Sequence, residues 1–299
     1  MFGAANATIQ TPWEHTIVST AQGVEATRYL TVSALTVVLW EHLLTLHLEV
    51  HHIWARALDG TKVVFLFNRY TVEAGLLYTV YLQAGFRPQL HESICSHFMY
   101  AIWILVLGTV TTTSVDMCYY YYTIWDHRKS ILLTLIVSLV VTYIPGIGLG
   151  LYSMTAYAAD VVYDPLVDQC VLRSQSIPTK VFWACLFAFD VVAITVGVVN
   201  SFDRPFQHRN DVIRSLQRDG ASWFVGIALL RFFNLVLGIV LPATEVLLLA
   251  FNVWGLINVT FTRFILRVEE FKRPRAELVR VWNLQSETFE LRPYTVDSA

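Results

Sequence analysis

Seven stretches of the chain are apolar over about the length needed to cross a bilayer. They are Tyr29–Val50, Lys62–Gln83, Ser93–Met117, Ser130–Tyr152, Lys180–Asn200, Ala221–Leu241 and Ala243–Phe264. Roughly 20 mostly apolar residues suffice, because ~30 Å of hydrocarbon is crossed at ~1.5 Å per helical residue. The last two runs nearly touch, and together they are too long for one span; Pro242 and the polar pair Thr244-Glu245 divide them. The pattern predicts an all-α, polytopic seven-helix bundle, with six spans plus a re-entrant segment as the rival count. Residues 1–28 lack a basic start, an apolar core and a small-residue cleavage site, so the first run is expected to act as an uncleaved signal anchor. The expected division is an extracellular segment over 1–28, a seven-span domain over 29–264 and a cytoplasmic tail over 265–299. Across the start of that tail Phe264, Ile265, Val268 and Phe271 share one side and alternate with Arg267, Lys272 and Arg273, which predicts an amphipathic helix on the inner leaflet.

Composition agrees with lipid as the main solvent. Hydrophobic residues make up 55% of the chain and charged residues 15%, against about 25% charged in a typical soluble domain. Mean hydropathy is +0.51. Disorder is excluded, since it needs low hydrophobicity and high charge. A net charge of −2 leaves no overall footprint for nucleic acid, and four cysteines are too few for a disulfide scaffold.

The distribution of basic residues orients the helices. With the N-terminus outside, the inner segments and tail hold fifteen lysines and arginines. The outer segments hold four: Arg28, Arg87, Arg173 and Lys180. This is a positive-inside pattern with the C-terminus cytoplasmic. On the outer side Asn6-Ala7-Thr8 is a glycosylation sequon. Cys95, at the outer start of the third helix, and Cys170, in the longest outer loop, both face the oxidising side and could pair. Cys185 competes for Cys170, and four unpaired thiols are the alternative.

Charges inside the spans are the candidate chemistry, because each costs about 2.5–3.5 kcal/mol on insertion scales at a helix centre. Glu41, Thr45 and Glu49 recur at four-residue spacing and form one polar stripe on the first helix. Asn68, Arg69 and Glu73 cluster within about a turn of the second. Glu41 and Arg69 come out at similar depth, so Arg69 is expected to neutralise Glu41 or Glu73. Asp190 and Arg231 both fall near the midplane of neighbouring antiparallel helices. Each group reads either as a structural ion pair or as a proton or cation site, or a switch that re-pairs. His47 and His51 have metal-ligand spacing, but later helices offer no matching ligands at that depth apart from Cys118. No metal or other cofactor is expected.

The stretch from Arg28 to Tyr70 also carries a resemblance. Trp40-Glu41, Leu44-Thr45-Leu46, Glu49-Val50, Ile53-Trp54, Lys62 and Asn68-Arg69-Tyr70 resemble the N-terminal signature of a family of fungal, mostly basidiomycete, seven-helix membrane proteins. That signature is a domain of unknown function. Arg218-Asp219-Gly220 and Thr262-Arg263-Phe264-Ile265-Leu266-Arg267 resemble later parts of the family. The resemblance implies a multi-pass membrane fold and carries no activity with it. The chain departs from the family at His47, where an acidic or polar residue is usual, and at Tyr119–Tyr122, where an arginine is common.

Several signatures are missing from the sequence. The last run has no lysine for a retinal Schiff base, the third helix has no Asp/Glu-Arg-Tyr at its inner end, and the seventh has no Asn-Pro-x-x-Tyr. The cluster Gly146-Ile147-Gly148-Leu149-Gly150 reads as close helix packing. No nucleophile–base motif is visible, and no enzymatic activity is expected. The first expectation is a receptor-like or sensor protein of the plasma membrane or another secretory-pathway membrane. Its partners would be the bilayer, an unidentified ligand and a cytoplasmic signalling protein at the basic inner loops and tail. The alternative is a transporter or channel using the intramembrane charges, and an intramembrane metal-dependent hydrolase is a distant third.

Overall fold

The computed structural model describes residues 12–83, 92–124, 127–164, 169–172, 177–202, 211–241 and 249–270. Seven α-helices run through these residues. Helix α1 covers Pro12–Glu49 and continues into a π-helical stretch, Val50–Trp54; α2 covers Gly60–Gln83, α3 Glu92–Ile124 and α4 Lys129–Asp160. A hairpin of β1 (Val161–Asp164) and β2 (Gln169–Leu172) leads into α5 (Ile177–Phe202), α6 (Asp211–Val240) and α7 (Leu249–Glu270).

Six helices are long and apolar enough to cross a membrane: α3, α4, α5, α6, α7 and the part of α1 from Arg28. Large apolar side chains stand out from their outer faces, Leu43 at 68% and Leu229 at 61% exposure among them. Such a surface suits hydrocarbon and would be a liability in water. The fold is that of an all-α, multi-pass membrane protein. Helix α2 is the exception in composition. Lys62, Asn68, Arg69 and Glu73 lower its apolar content, and Asn68 and Arg69 are buried against its neighbours.

Most helices outrun the apolar stretches that announce them, because backbone hydrogen bonding continues after the side chains turn polar. Helix α1 reaches back to Pro12, inside the expected extracellular segment. The boundary expected after Phe264 falls within α7, and Phe264, Ile265 and Val268 are buried in the bundle. These three residues are therefore core side chains, which corrects their expected place on a surface helix. Phe271 and the remaining tail, Asn6 and the Phe202–Asp211 connection beyond its ends lie outside the described residues.

Helices α3 to α6 pack in chain order, with α1, α2 and α3 forming a second row. Helix α7 is the most enclosed of the six long apolar helices. It meets α2 where a Cβ built on Gly75 would lie 2.6 Å from Trp254 Cη2, so only glycine admits the indole there. At its far end Phe264 packs edge-on to Tyr120 of α3 (centroids 4.7 Å apart) and beside Phe224 of α6 at 5.0 Å. The expected close approach at the glycine cluster of α4 is present: a Cβ at Gly150 would meet Phe182 of α5 at 3.3 Å.

Two local devices shape the ends. Asp59 Oδ1 accepts the Lys62 N–H at 2.9 Å and caps the start of α2. The Lys62 ammonium donates to the carbonyls of Trp54 and Arg56, which the end of the π-helical stretch leaves open. At the opposite end, β1 and β2 pair antiparallel with Tyr163 opposite Cys170. A two-stranded sheet is marginal alone. Here Cys170 is joined to the buried Cys95 of α3, Cα to Cα 5.6 Å, and Val161 and Leu172 are buried. Cys118 and Cys185 are free thiols.

Candidate functional site

The polar stripe of α1 is buried along its length: Glu41, Thr45 and Glu49 all face inward. At its lower end Glu49 is wholly enclosed and gathers donors from three directions. Its Oε1 accepts from Trp54 Nε1 at 2.9 Å and from Tyr70 Oη at 2.8 Å. Its Oε2 forms an ion pair with Arg69 Nε at 3.0 Å. The π-helical stretch explains the first contact, since an i to i+5 turn brings Trp54 over Glu49. Arg69 also donates from Nη2 to Thr45 Oγ1 at 2.7 Å, lies 3.8 Å from Glu73 and sits 5.6 Å over the Phe65 ring. His42 completes the group. Its Nδ1 lies 2.6 Å from Glu73 Oε1 and its Nε2 lies 3.6 Å from Glu49 Oε2.

Arg69 thus serves Glu49 and Glu73. Of the two carboxylates expected for Arg69, Glu41 is bonded to α7 instead: Arg263 grips Glu41 with both Nε and Nη2, the first at 2.6 Å. Two residues at one depth can face different neighbours, and Glu41 faces α7. A second ion pair, Arg56 to Glu269, ties the last turn of α7 to the α1–α2 connection, where Arg56 also binds Asp59.

The second candidate pair is assembled in the other half of the bundle. Arg231 Nη1 donates to Asp190 Oδ1 at 2.7 Å, with both side chains enclosed. Arg231 Nη2 donates to Ser114 Oγ at 3.3 Å, and Ser114 is hydrogen-bonded to Tyr143. One residue each from α3, α4, α5 and α6 therefore meets at this node. Asn68 sits apart from Arg69 on α2. Its amide donates to Thr112 Oγ1 of α3 at 2.9 Å and its Oδ1 is 3.3 Å from Thr113 Oγ1. Trp254 of α7 donates to Thr109 Oγ1 at 3.0 Å alongside.

Members that the sequence does not single out as site residues include His42, Arg263, Glu269, Ser114 and Tyr143. His42 carries a signal in the sequence, being one position from Glu41 within a span. Arg263 and Glu269 sit at the polar end of an apolar run, where charge is unremarkable until the partner is known. Among the described residues no three His, Cys, Asp or Glu side chains are grouped to hold a metal ion. The rings of His47 and His51 stack, with centroids 6.4 Å apart.

Residues 29–72 match the model of a family of unknown function (DUF6533). The match marks an N-terminal domain of unknown function that spans the second half of α1, the π-helical stretch and the first half of α2. It contains Glu41, His42, Thr45, Glu49, Asn68, Arg69 and Tyr70, and it ends one residue before Glu73. No curated protein matches the chain.

Proposed function

We propose that this chain is a receptor-like or sensor protein with seven membrane spans, N-terminus outside and C-terminus cytoplasmic, of the fungal kind its N-terminal signature resembles. The observation that carries the reading is the fastening of α7. The most enclosed of the long apolar helices is held at its end by Glu41–Arg263 and Arg56–Glu269, with the Arg263 side chain 47% exposed. Arg263 and Arg56 are partly open to water, which weakens their hold relative to a fully enclosed pair, so a difference in ligand affinity between two positions of α7 would release it. The basic inner segments would receive the signalling partner. The positive-inside count supports the orientation, and α2 is taken as the seventh span on its length and its place in the bundle.

The orientation is checked by cysteine tags in the connection between α5 and α6, which should react only after permeabilisation; reaction on intact cells would invert it. The function is checked in a reporter host with a promiscuous G protein. At equal surface expression, Glu41→Gln and Arg263→Gln should each raise basal output severalfold. Basal output unchanged in both variants would count against a releasable α7.

A second reading, transport, is favoured by the group around Arg69, where two carboxylates and an imidazole surround one guanidinium. A cation flux into proteoliposomes that disappears in Glu73→Gln would establish it.

A further inference from the structure

Midway along α7 the contact with α2 and α3 leaves a small cavity lined by Asn68, Val72, Thr109, Thr113, Trp254 and Asn258. It has room for about one water molecule. The hydrogen bonds around it do not close. Asn258 is 5% exposed, and its Oδ1 has no donor. Thr113 has a single hydroxyl proton and two acceptors in reach, the Thr109 carbonyl at 2.7 Å and Asn68 Oδ1 at 3.3 Å. The shorter bond is the stronger, so Asn68 Oδ1 has only a long, shared donor. The Thr109 hydroxyl is engaged too, accepting from Trp254 Nε1 and donating to the Leu105 carbonyl.

We infer that this cavity is a binding site for one water molecule, which donates its two protons to Asn68 Oδ1 and Asn258 Oδ1 and joins α2 to α7. A buried amide oxygen left without a donor costs about 1–3 kcal/mol, and the amides of Asn68 and Asn258, both lining one cavity of that size, offer two oxygens for the two O–H groups of water. A monovalent cation is disfavoured, because no carboxylate lines the cavity to balance a charge taken from water into a low-dielectric interior. The joint lets α7 turn against α2 without stranding an amide, since water re-forms its bonds in a new position. This inference goes beyond the sensor reading and holds or fails independently of it.

The test is radiolytic hydroxyl labelling in 18O-enriched water of the full-length protein in nanodiscs. Trp254 and Ile257, both buried, should take up label, and uptake should fall severalfold in Asn258→Leu. Val72→Leu covers the case in which that variant does not fold. It adds one methylene to the cavity and keeps both amides, so it should lower labelling and lower the melting temperature by displacing the water. A dry cavity would be filled favourably, and a raised melting temperature for Val72→Leu would overturn the proposal. Unlabelled Trp254 and Ile257 in the wild type would also overturn it. Replacing sodium by choline should leave labelling and melting unchanged; a sodium-dependent melting temperature that Asn258→Leu abolishes would identify a cation instead.

Discussion

Replacing Arg69 by leucine is expected to destabilise the protein by about 3–5 kcal/mol, the usual cost of removing one partner of a buried ion pair. Glu49 is wholly enclosed and would keep Trp54 and Tyr70 as neutral donors on Oε1 while losing the cation on Oε2. Glu73 would keep His42. The double change Glu49→Gln with Arg69→Leu should recover part of the loss, because the carboxylate that needed the cation is gone. Recovery should stay incomplete, since Thr45 Oγ1 also loses the Arg69 donor. Combining Glu41→Gln with Arg69→Leu should be close to additive, because the carboxylate of Glu41 is held by Arg263. Melting in detergent for the singles and both doubles yields the two coupling energies. Strong coupling of Arg69 to Glu41, with none to Glu49, would contradict the arrangement of α1, α2 and α7.

Arg231→Met should be comparably severe, at about 3–5 kcal/mol, and far more recoverable. Asp190 has no exposed surface and Arg231 is its one ion-pair partner among the described residues, so the single variant leaves a bare carboxylate among four helices. Asp190→Leu with Arg231→Met should regain most of the stability, because replacing a buried pair with apolar side chains of similar bulk is often neutral or favourable. Ser114 and Tyr143 would still satisfy one another. A double variant as unstable as Arg231→Met would mean that the node does more than neutralise one acid. If the double variant melts like the wild type and also functions like it, Asp190 and Arg231 serve packing alone.

The contrast between these two sites follows from their connectivity. Asp190–Arg231 is a closed pair of opposite charges, so it was legible from two intramembrane residues at matching depth on adjacent helices. The α1–α2 group has five ionisable members from two helices, and Glu41 of α1, which looks like a sixth, is bonded to Arg263 of α7. Four-residue spacing puts Glu41, Thr45 and Glu49 on one face, yet the stripe turns slowly around the helix, and its two ends meet different neighbours.

Apolar run length and the scarcity of charge determined, by themselves, that the chain is all-α and built for a membrane, because a lipid interior demands internally bonded backbone over about 20 residues. The same arithmetic marked Arg69, Glu73, Asp190 and Arg231 as residues that must find partners, since a lone charge in hydrocarbon is costly. Tertiary structure decided who the partners are. Arg263 reaches Glu41 across 222 positions of sequence, and that contact depends on the rotation of α7 about its axis. Side-chain packing sets that rotation: Gly75 admits Trp254, Gly255 lies against Val38, and Phe264 seats between Tyr120 and Phe224. Hydropathy is nearly blind to helix rotation in lipid, because both faces of a spanning helix are apolar. Steric fit between specific side chains supplies the missing angle, and only the folded bundle contains it.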